Sequence, residues 1–539
     1  MMRIPLSPAC RRGSVLVIVL WITFGLISLA IYFASSMNFE LRAADNRVAS
    51  QAAEQAIEGA ARYITYLLAT QIANGSNGIM LDPSAYVNQA VPVGEAHFWI
   101  IGRDTNNLTS GPGRLCFGLI DEASKLNLNS QINSPLSFSN QLIWLPPMLL
   151  DPAGGADLVM GILDWRDTNG TGQTVGIYSA QQPPYICKSD PFETVDEVRL
   201  VYGATMDMLI GEDMNRNGVL DPNETDQNGN NMLDPGILEY LTVYSREPNN
   251  ASINLSNLTA SVTQLTSLLE TNFGSARATA IISALGLSTG GAAAGRGPTT
   301  GGGGGRGGGG RGGGGRGGGG RGGGGGGGGG GSGGGGRGGG GRVVGEGAAA
   351  PDVAEPNAAA PGRNSVVVTT PTVSFASPLL FYVKSGMTSA EFALIATNLT
   401  TTTNKTIEGR VNVNTASAAV LTCLLGGDNS AAAQLVNYRL SNPNNLTSIA
   451  WVIDALGQNY PDALQAMETG DYLTMQSYQF TADIAALGPY GRGYRRVKFV
   501  FDTSSGTPEV LYRQDLTHLG WALGKDVRQQ YVLSYDNKR

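Results

Sequence analysis

The sequence predicts an α+β protein in which a long N-terminal helix precedes an antiparallel sheet, and a large, mainly helical insert separates the strands of that sheet. Residues 14–33 contain no charged side chain, and apolar residues recur at helical spacing to about residue 73. Short β-type runs occur near residues 97–120 and again after residue 475. The chain between these two regions carries mainly helical patterns.

The N-terminal apolar run has the length of a membrane-spanning helix. Twenty helical residues extend roughly 30 Å, about the thickness of a bilayer core. Arg3, Arg11 and Arg12 precede the run, which predicts a cytoplasmic N-terminus and an exported C-terminal bulk. A cleaved secretory signal is the alternative, since residues 34–36 are small.

The same helix is expected to continue beyond the membrane, because apolar residues share one of its faces up to the stop signal at residues 74–78. These residues are Ala52, Ala56, Ile57, Ala60, Ile64, Leu67 and Leu68.

Residues 1–13 form a short basic segment that ends in Gly13, directly before the apolar run. This arrangement resembles the leader of type IV pilin-like proteins. The resemblance implies that a prepilin peptidase cleaves between Gly13 and Ser14, and that the new N-terminus is methylated. Most members of that class carry Glu at the fifth mature position, where Ile18 stands here. A buried carboxylate is costly unless it is paired, so a subunit without the pairing neighbour can dispense with it.

This absence resembles the minor pseudopilin K family of type II secretion systems, which is proposed to cap the pseudopilus tip. Residues 125–129, 162–167 and 191–198 follow in a similar order to that family, and Thr194 with Glu197 predicts a capping box. The resemblance implies a non-enzymatic inner-membrane protein. Its implied partners are the I and J minor pseudopilins, the major pseudopilin and the prepilin peptidase.

The strand signals place the predicted sheet at both ends of the exported part. Residues 97–101 and 114–120 are expected to be strands, and residues 477–484, 495–502 and 509–516 an antiparallel meander. With the resemblance, the fold class becomes type IV pilin-like with an inserted helical domain. The predicted segments are a leader at 1–13, the helix at 14–73, sheet regions at 74–120 and 475–539, and insert regions at 121–289 and 364–474, separated by a low-complexity segment at 290–363.

The most specific chemical motif occupies residues 213–224, which match the spacing of an EF-hand calcium loop. Oxygen side chains stand at positions one, three, five, nine and twelve, with Gly218 at position six and a main-chain carbonyl at position seven. The predicted ligands are Asp213, Asn215, Asn217, Val219, Asp221 and Glu224. We expect a structural calcium ion here, although Asn, Asp and Gly runs also form plain surface turns.

A second, partial copy of the loop begins at Asp226. Its predicted ligands are Asp226, Asn228, Asn230 and Asp234. Asn231 occupies the glycine position and Ile237 the last position, so its ligand set is incomplete by sequence.

Two further segments raise the question of nucleic-acid binding. The glycine-arginine tract within 290–363 contains no stacking aromatic residue and is expected to be a flexible linker. Residues 414–440 resemble a helix-hairpin-helix, with Asn414 or Thr415 as the first cap. Asp428 at the hairpin would repel phosphate, which favours a protein-packing role.

The composition offers no catalytic set. The formal charge of −7 argues against a nucleic-acid binder, and the chain has two histidines and neither a P-loop nor a nucleophile motif. Cys116, Cys187 and Cys423 remain after leader removal, which allows at most one internal disulfide. An exported helix-hairpin-helix DNA-uptake protein and a membrane-anchored calcium-dependent adhesin are the alternative functions.

Overall fold

The computed structural model describes residues 12–106, 115–130, 135–287 and 373–524, together with 527 and 529–531. Residues 1–11 of the predicted leader and the predicted linker at 290–363 lie outside this part of the chain.

The predicted N-terminal helix is confirmed. Helix α1 covers Arg12–Ala73, which is 62 residues. The side chains from Val15 to Phe33 are exposed in the isolated chain. By length and composition this helix can cross a bilayer.

The described strands follow α1 in two groups separated by the insert. They are β1 (Val91–Val93), β2 (Ala96–Ile101), β3 (Ile120–Asp121), β4 (Leu126–Asn127), β5 (Leu241–Thr242), β6 (Arg246–Pro248), β7 (Ile253–Asn254), β8 (Leu399–Thr400), β9 (Thr406–Glu408), β10 (Val411–Asn412), β11 (Leu473–Thr474), β12 (Gln479–Leu487), β13 (Arg495–Asp502) and β14 (Glu509–Asp515).

Residues 524, 527 and 529–531 near the C-terminus are helical, and the other described α-helices after α1 all lie between β4 and β12, which confirms a mainly helical insert. They are α2 (Pro135–Leu142), α3 (Pro146–Leu150), α4 (Pro152–Arg166), α5 (Met206–Ile210), α6 (Leu258–Phe273), α7 (Ser275–Ala284), α8 (Pro378–Ser385), α9 (Ser389–Ile395), α10 (Ala418–Leu424), α11 (Asn429–Ser441), α12 (Trp451–Leu456) and α13 (Pro461–Glu468).

Six of the described strands form one antiparallel sheet with the order β1-β2-β12-β13-β14, and β3 also pairs with β12. Strand β12 lies beside β2, with Ile484 opposite Ile100. The predicted sheet, assembled from segments on both sides of the insert, is therefore confirmed. The insert leaves the sheet after β3 and returns at β12, so its two ends lie on neighbouring strands.

One face of this sheet packs on the C-terminal half of α1. The predicted helix face is buried there, with Ala56, Ile57 and Ile64 fully inaccessible to solvent. Small residues on the helix let the backbone of the β12–β13 hairpin approach it closely. A Cβ atom built on Gly493 would lie 2.2 Å from the carbonyl carbon of Ala49. Helix and sheet are held together by apolar burial at this short distance.

Two local predictions need correction, and a third is confirmed. The predicted strand at 114–120 is reduced to a bridge between Phe117 and Ile101 followed by β3, within the described residues. The chain turns away because Leu119 donates its amide to the Tyr86 hydroxyl at 2.7 Å, next to Gly118 at a φ of 150°. The predicted capping box of Thr194 and Glu197 is confirmed, and it opens the short 3₁₀ helix Val195–Leu200. Ser417, not Asn414 or Thr415, caps α10.

Asp121 joins the sheet to the insert. Its buried carboxylate accepts hydrogen bonds from Ser477 and Thr415, both at 2.5 Å, and from Asn412 at 3.2 Å. Burial raises the pKa of Asp121 to about 6, although these donors lower it in part. The carboxylate therefore carries a desolvation cost at neutral pH within a satisfied network.

Replacing Gly493 by Ala is expected to lower the melting temperature of the full chain more than replacing Gly506. Both glycines have a positive φ, but a Cβ atom on Gly506 would meet nothing within 4 Å. Gly506→Ala should cost roughly 1–2 kcal/mol through backbone strain alone. Gly493→Ala should cost about 1–3 kcal/mol more, because the helix must move. Equal melting temperatures for the two variants would contradict the close approach of hairpin and helix.

Replacing Asp121 by Asn is expected to change how stability depends on pH. The pKa of Asp121 is about 6 in the folded chain and about 4 when unfolded, so the folded state binds more protons between those values. Relative to Asp121→Asn, the wild-type chain should therefore lose stability, on the order of 3 kcal/mol, as the pH rises from 4 to 7.

Denaturant unfolding of the wild-type chain and of Asp121→Asn across this pH range measures the difference between their free energies of unfolding. Asp167→Asn is a control, because backbone hydrogen bonding lowers the pKa of that exposed carboxyl and its effect has the opposite sign. If the free energies of unfolding of wild type and Asp121→Asn differ by the same amount at every pH, the folded chain does not raise the pKa of Asp121.

Candidate calcium site

The two candidate calcium loops form one closed excursion of the chain between α5 and residue 236. Helix α5 ends at Gly211, which bridges to Pro235. Glu212 donates its amide to the Asp234 carbonyl at 3.0 Å, and Gly236 donates to the Ile210 carbonyl at 2.8 Å. The segment that contains both loops is therefore closed by backbone contacts between residues 210–212 and residues 234–236.

In the first loop, Asp213 organises the turn at the glycine position. Its side chain is 3% exposed, and its two carboxylate oxygens accept the amides of Asn217 at 2.9 Å and Gly218 at 2.8 Å. Gly218 has a φ of 80°, which favours glycine and matches position six of an EF-hand loop.

The other predicted side chains of the first loop meet around Asp221. Asn215 and Asn217 donate their side-chain amides to Asp221 Oδ2 at 2.7 and 2.9 Å. Glu224 accepts the amide of Asn215 at 3.1 Å and that of Asp221 at 2.9 Å. The amide of Val219 donates to Asn217 Oδ1 at 2.9 Å. Contacts within the fold thus bring all six predicted ligand residues into one loop.

The first loop has acceptors that its own donors do not satisfy. Asn215 is 4% exposed, and its Oδ1 atom is buried without a hydrogen-bond partner. Leaving such an atom unpaired costs about 1–3 kcal/mol. Burial raises the pKa of Asp213 and that of Glu224, and the neighbouring loop carboxylates raise the latter further. A hard cation that takes oxygen ligands fits this set.

Within the described residues, His, Cys, Asp and Glu side chains alone form no group of three that suits a metal ion. A cation in the first loop would therefore also need asparagine or main-chain oxygens. This mixed ligand set is the one that the EF-hand spacing supplies.

The second loop repeats the hydrogen-bond pattern of the first at a more exposed position. Asp226 accepts the amides of Gly229 and Asn231, at 2.7 and 2.8 Å. Asn228 and Asn230 donate their side-chain amides to one oxygen of Asp234, at 2.6 and 3.1 Å. Asn231, where the consensus has glycine, adopts a φ of 56°, which Asn tolerates better than most residues.

Glu212 is a residue that the sequence reasoning missed. Its buried carboxylate accepts the amide of Gln227 at 2.6 Å and that of Asp234 at 3.0 Å. Glu224 makes the corresponding contact with the ninth position of the first loop. A carboxylate thus reaches the second loop from its N-terminal side, whereas Ile237 at the expected position is buried in the core. No spacing rule within one loop could reveal this contribution.

Two arginines, one fully buried and one partly exposed, tie the first loop to the sheet. Arg496 of β13 is fully buried, pairs with Asp483 of β12, and donates to the main-chain carbonyls of Asn215 and Arg216. Arg103, just after β2, donates to the Arg216 carbonyl at 2.9 Å and to Glu239 at 2.7 Å. The loop belongs to the insert by sequence but rests on the sheet in space.

The helix-hairpin-helix-like segment has its turn covered by protein. Asp428 accepts the amides of Ser430 and Ala431 at the start of α11, both at 2.9 Å. A Cβ atom on Gly427 would lie 2.6 Å from the Trp144 ring. Amides that a phosphate would need are therefore engaged by Asp428, which favours packing over DNA binding.

The predicted cleavage residues lie apart from these loops in the chain. Gly13 and Ser14 fall within α1, close to its first described residue. Among the described residues, no disulfide joins Cys116, Cys187 and Cys423, the three cysteines that leader removal would leave. Cys187 and Cys423 are buried.

No protein-family model and no curated protein matches this sequence. Among solved structures the chain is similar to one described as the GspK-GspI-GspJ complex from the enterotoxigenic Escherichia coli type 2 secretion system. The alignment covers 86% of this chain and 96% of that chain, with 9% sequence identity and a TM-score of 0.35. At this identity and TM-score the likeness assigns neither a family nor a function to this chain. Residue roles rest on the contacts described above.

Proposed function

We propose that this chain is a non-enzymatic minor pseudopilin of a type II secretion system, which caps the pseudopilus tip and helps to start its assembly. The observation that carries this proposal is the division of α1 into two halves. The first half exposes an uninterrupted apolar surface, and the second half is buried against the sheet.

The exposed half of α1 needs an apolar environment that the folded part does not supply. A bilayer meets this need before assembly, and packing against the helices of other subunits meets it afterwards. In this proposal the helix spans the inner membrane once, with a cytoplasmic N-terminus and a periplasmic bulk. The I and J minor pseudopilins and the major pseudopilin are the partners, and the prepilin peptidase releases the helix from its leader.

The insert supports a terminal position in the filament. It enters and leaves through the neighbouring strands β3 and β12, and it forms the largest apolar core of the described chain. Such a bulk beside the sheet would hinder the addition of a further subunit above it. Ile18 is also consistent with a terminal position in the filament, because a tip subunit would have no partner for a carboxylate at this residue.

We also propose that the first loop binds one structural calcium ion through Asp213, Asn215, Asn217, Val219, Asp221 and Glu224. The unpartnered Asn215 oxygen and the buried carboxylates support this site. Asp226, Asn228, Asn230 and Asp234 offer a weaker second site. In this proposal the ion stabilises the fold rather than acting on a substrate.

Processing and position in the filament test the proposed function. The mature protein should begin at Ser14 only when a prepilin peptidase is present, and Gly13→Val should leave the chain uncleaved and outside pseudopili. N-terminal sequencing of the protein from membrane fractions identifies the cleavage site. Immunogold labelling of pseudopili shows where the protein lies in the filament.

We expect labelling at filament tips only, and label along the whole filament would contradict capping. A start near Ser36, or an intact Met1 with the peptidase present, would break the pilin-like assignment. The DNA-uptake and adhesin alternatives would then lead.

Calcium is expected to raise the melting temperature of the full chain. Calcium at about 100 times its dissociation constant should stabilise the folded state by about 2.7 kcal/mol. Asp221→Ala should abolish most of this increase, because Asp221 meets both asparagine amides of the first loop. Asp167→Ala, which removes an exposed carboxylate outside the loops, should keep it. A wild-type melting temperature that is the same with calcium and with chelator would rule out the site.

A further inference from the structure

We propose that calcium in the first loop latches the C-terminal segment onto the sheet, so that the loop acts as a clasp between insert, sheet and C-terminus. Residues 521–523 are called the C-terminal strap below. This inference rests on the proposed calcium site and extends it from local stability to the control of a second segment.

The strap covers the face of the sheet opposite α1. Ala522 and Leu523 are buried against side chains of β2 and β12, including Trp99 and Leu487. The ring of Trp521 lies 5.0 Å from the ring of Tyr494, between β12 and β13. The strap thus shields from water the outer apolar face of the strands that join the two ends of the exported chain.

The loop reaches the strap through the side chains of two predicted calcium ligands. Asn215 donates its side-chain amide to the Trp521 carbonyl at 3.3 Å, and Asn217 donates to the Ala522 carbonyl at 3.2 Å. These residues occupy the third and fifth loop positions. An EF-hand loop uses the side-chain oxygens of these positions for the ion and leaves their amide nitrogens free to donate elsewhere.

Each of these side-chain amides carries two N–H donors, so one bonds Asp221 while the other bonds the strap. Both contacts to Asp221 Oδ2 are shorter than the contacts to the strap carbonyls. A carboxylate is the stronger acceptor, so without a cation the orientation of both amides is set mainly by Asp221. A calcium ion would bind the two asparagine oxygens and the Asp221 carboxylate, and would thereby hold the second N–H of each amide toward the strap.

The base of the loop is held independently of these amide contacts. Arg496 binds the loop carbonyls of Asn215 and Arg216, and its own amide donates to the Thr517 hydroxyl at 3.1 Å. Arg496 therefore fixes both the loop and the chain that leads into the strap. The change on calcium binding should be confined to the strap and leave the sheet in place.

Hydrogen–deuterium exchange of the full chain in detergent micelles, with calcium and with chelator, tests the latch. Calcium should slow exchange in peptides that cover residues 516–524 by about tenfold, which is the effect expected of one or two restored hydrogen bonds. Peptides from β13, which Arg496 holds in both states, serve as the internal reference. Calorimetry on the same samples measures calcium binding separately.

The double variant Asn215→Asp with Asn217→Asp separates the ion from the latch. Each Asp keeps an oxygen at its loop position and removes the donor to the strap. At a calcium concentration that calorimetry shows to be saturating, the strap of this variant should still exchange fast. Asn228→Asp with Asn230→Asp is the matched control, because the second loop has the same pattern without contact to the strap.

Trp521→Ala provides a reciprocal test that leaves every loop residue in place. If calcium holds the strap, loosening the strap must weaken calcium binding by the same factor. An unchanged calcium affinity in Trp521→Ala, or equal strap exchange with and without calcium in a wild-type chain that binds the ion, would overturn the latch and leave the calcium site standing. A wild-type chain that binds no calcium would overturn both.

Discussion

Strand β12 is the constraint on which the rest of the molecule depends. All nine of its residues are buried, and it pairs with β2, β3 and β13. Its pairing with β2 joins segments that are separated by the whole insert. The entropy of closing a loop rises only slowly with its length, so a long insert is tolerated once the sheet supplies enough apolar burial. Helix α1, the strap and the insert all find their places relative to this strand.

Several charged groups are buried between the sheet and the insert, where they form ion pairs and hydrogen-bond networks. Arg496 and Asp483 satisfy each other inside the sheet, while Asp121 is satisfied by hydroxyl and amide donors from the insert. Removing one member of such a set leaves an uncompensated buried group, which is far more costly than losing an exposed pair. These contacts therefore specify how the insert sits on the sheet, whereas apolar packing supplies most of the free energy.

The proposed function depends on the different surroundings of the two halves of α1. The first half of α1 is free to enter a bilayer or a bundle of helices, because the second half already anchors the folded part through the sheet. In the proposed calcium site, a cation would bind where burial has left carboxylates and the Asn215 oxygen short of partners. Through Asn215 and Asn217, one ion would link the insert, the sheet and the C-terminal strap. Calcium binding would then affect the stability of all three parts together.

The sequence by itself determined the features that depend on short-range periodicity and spacing. Helix α1, the meander of β12 to β14, the hairpin of α10 and α11, and both loops follow from patterns within a few turns or strands of the chain. Only the tertiary structure decided what depends on distant partners. Tyr86 ends the expected strand near Gly118, Glu212 reaches the second loop from outside it, and Arg496 carries the first loop on the sheet. Those contacts join residues whose separation along the chain bears no fixed relation to their distance in space, so no local pattern encodes them.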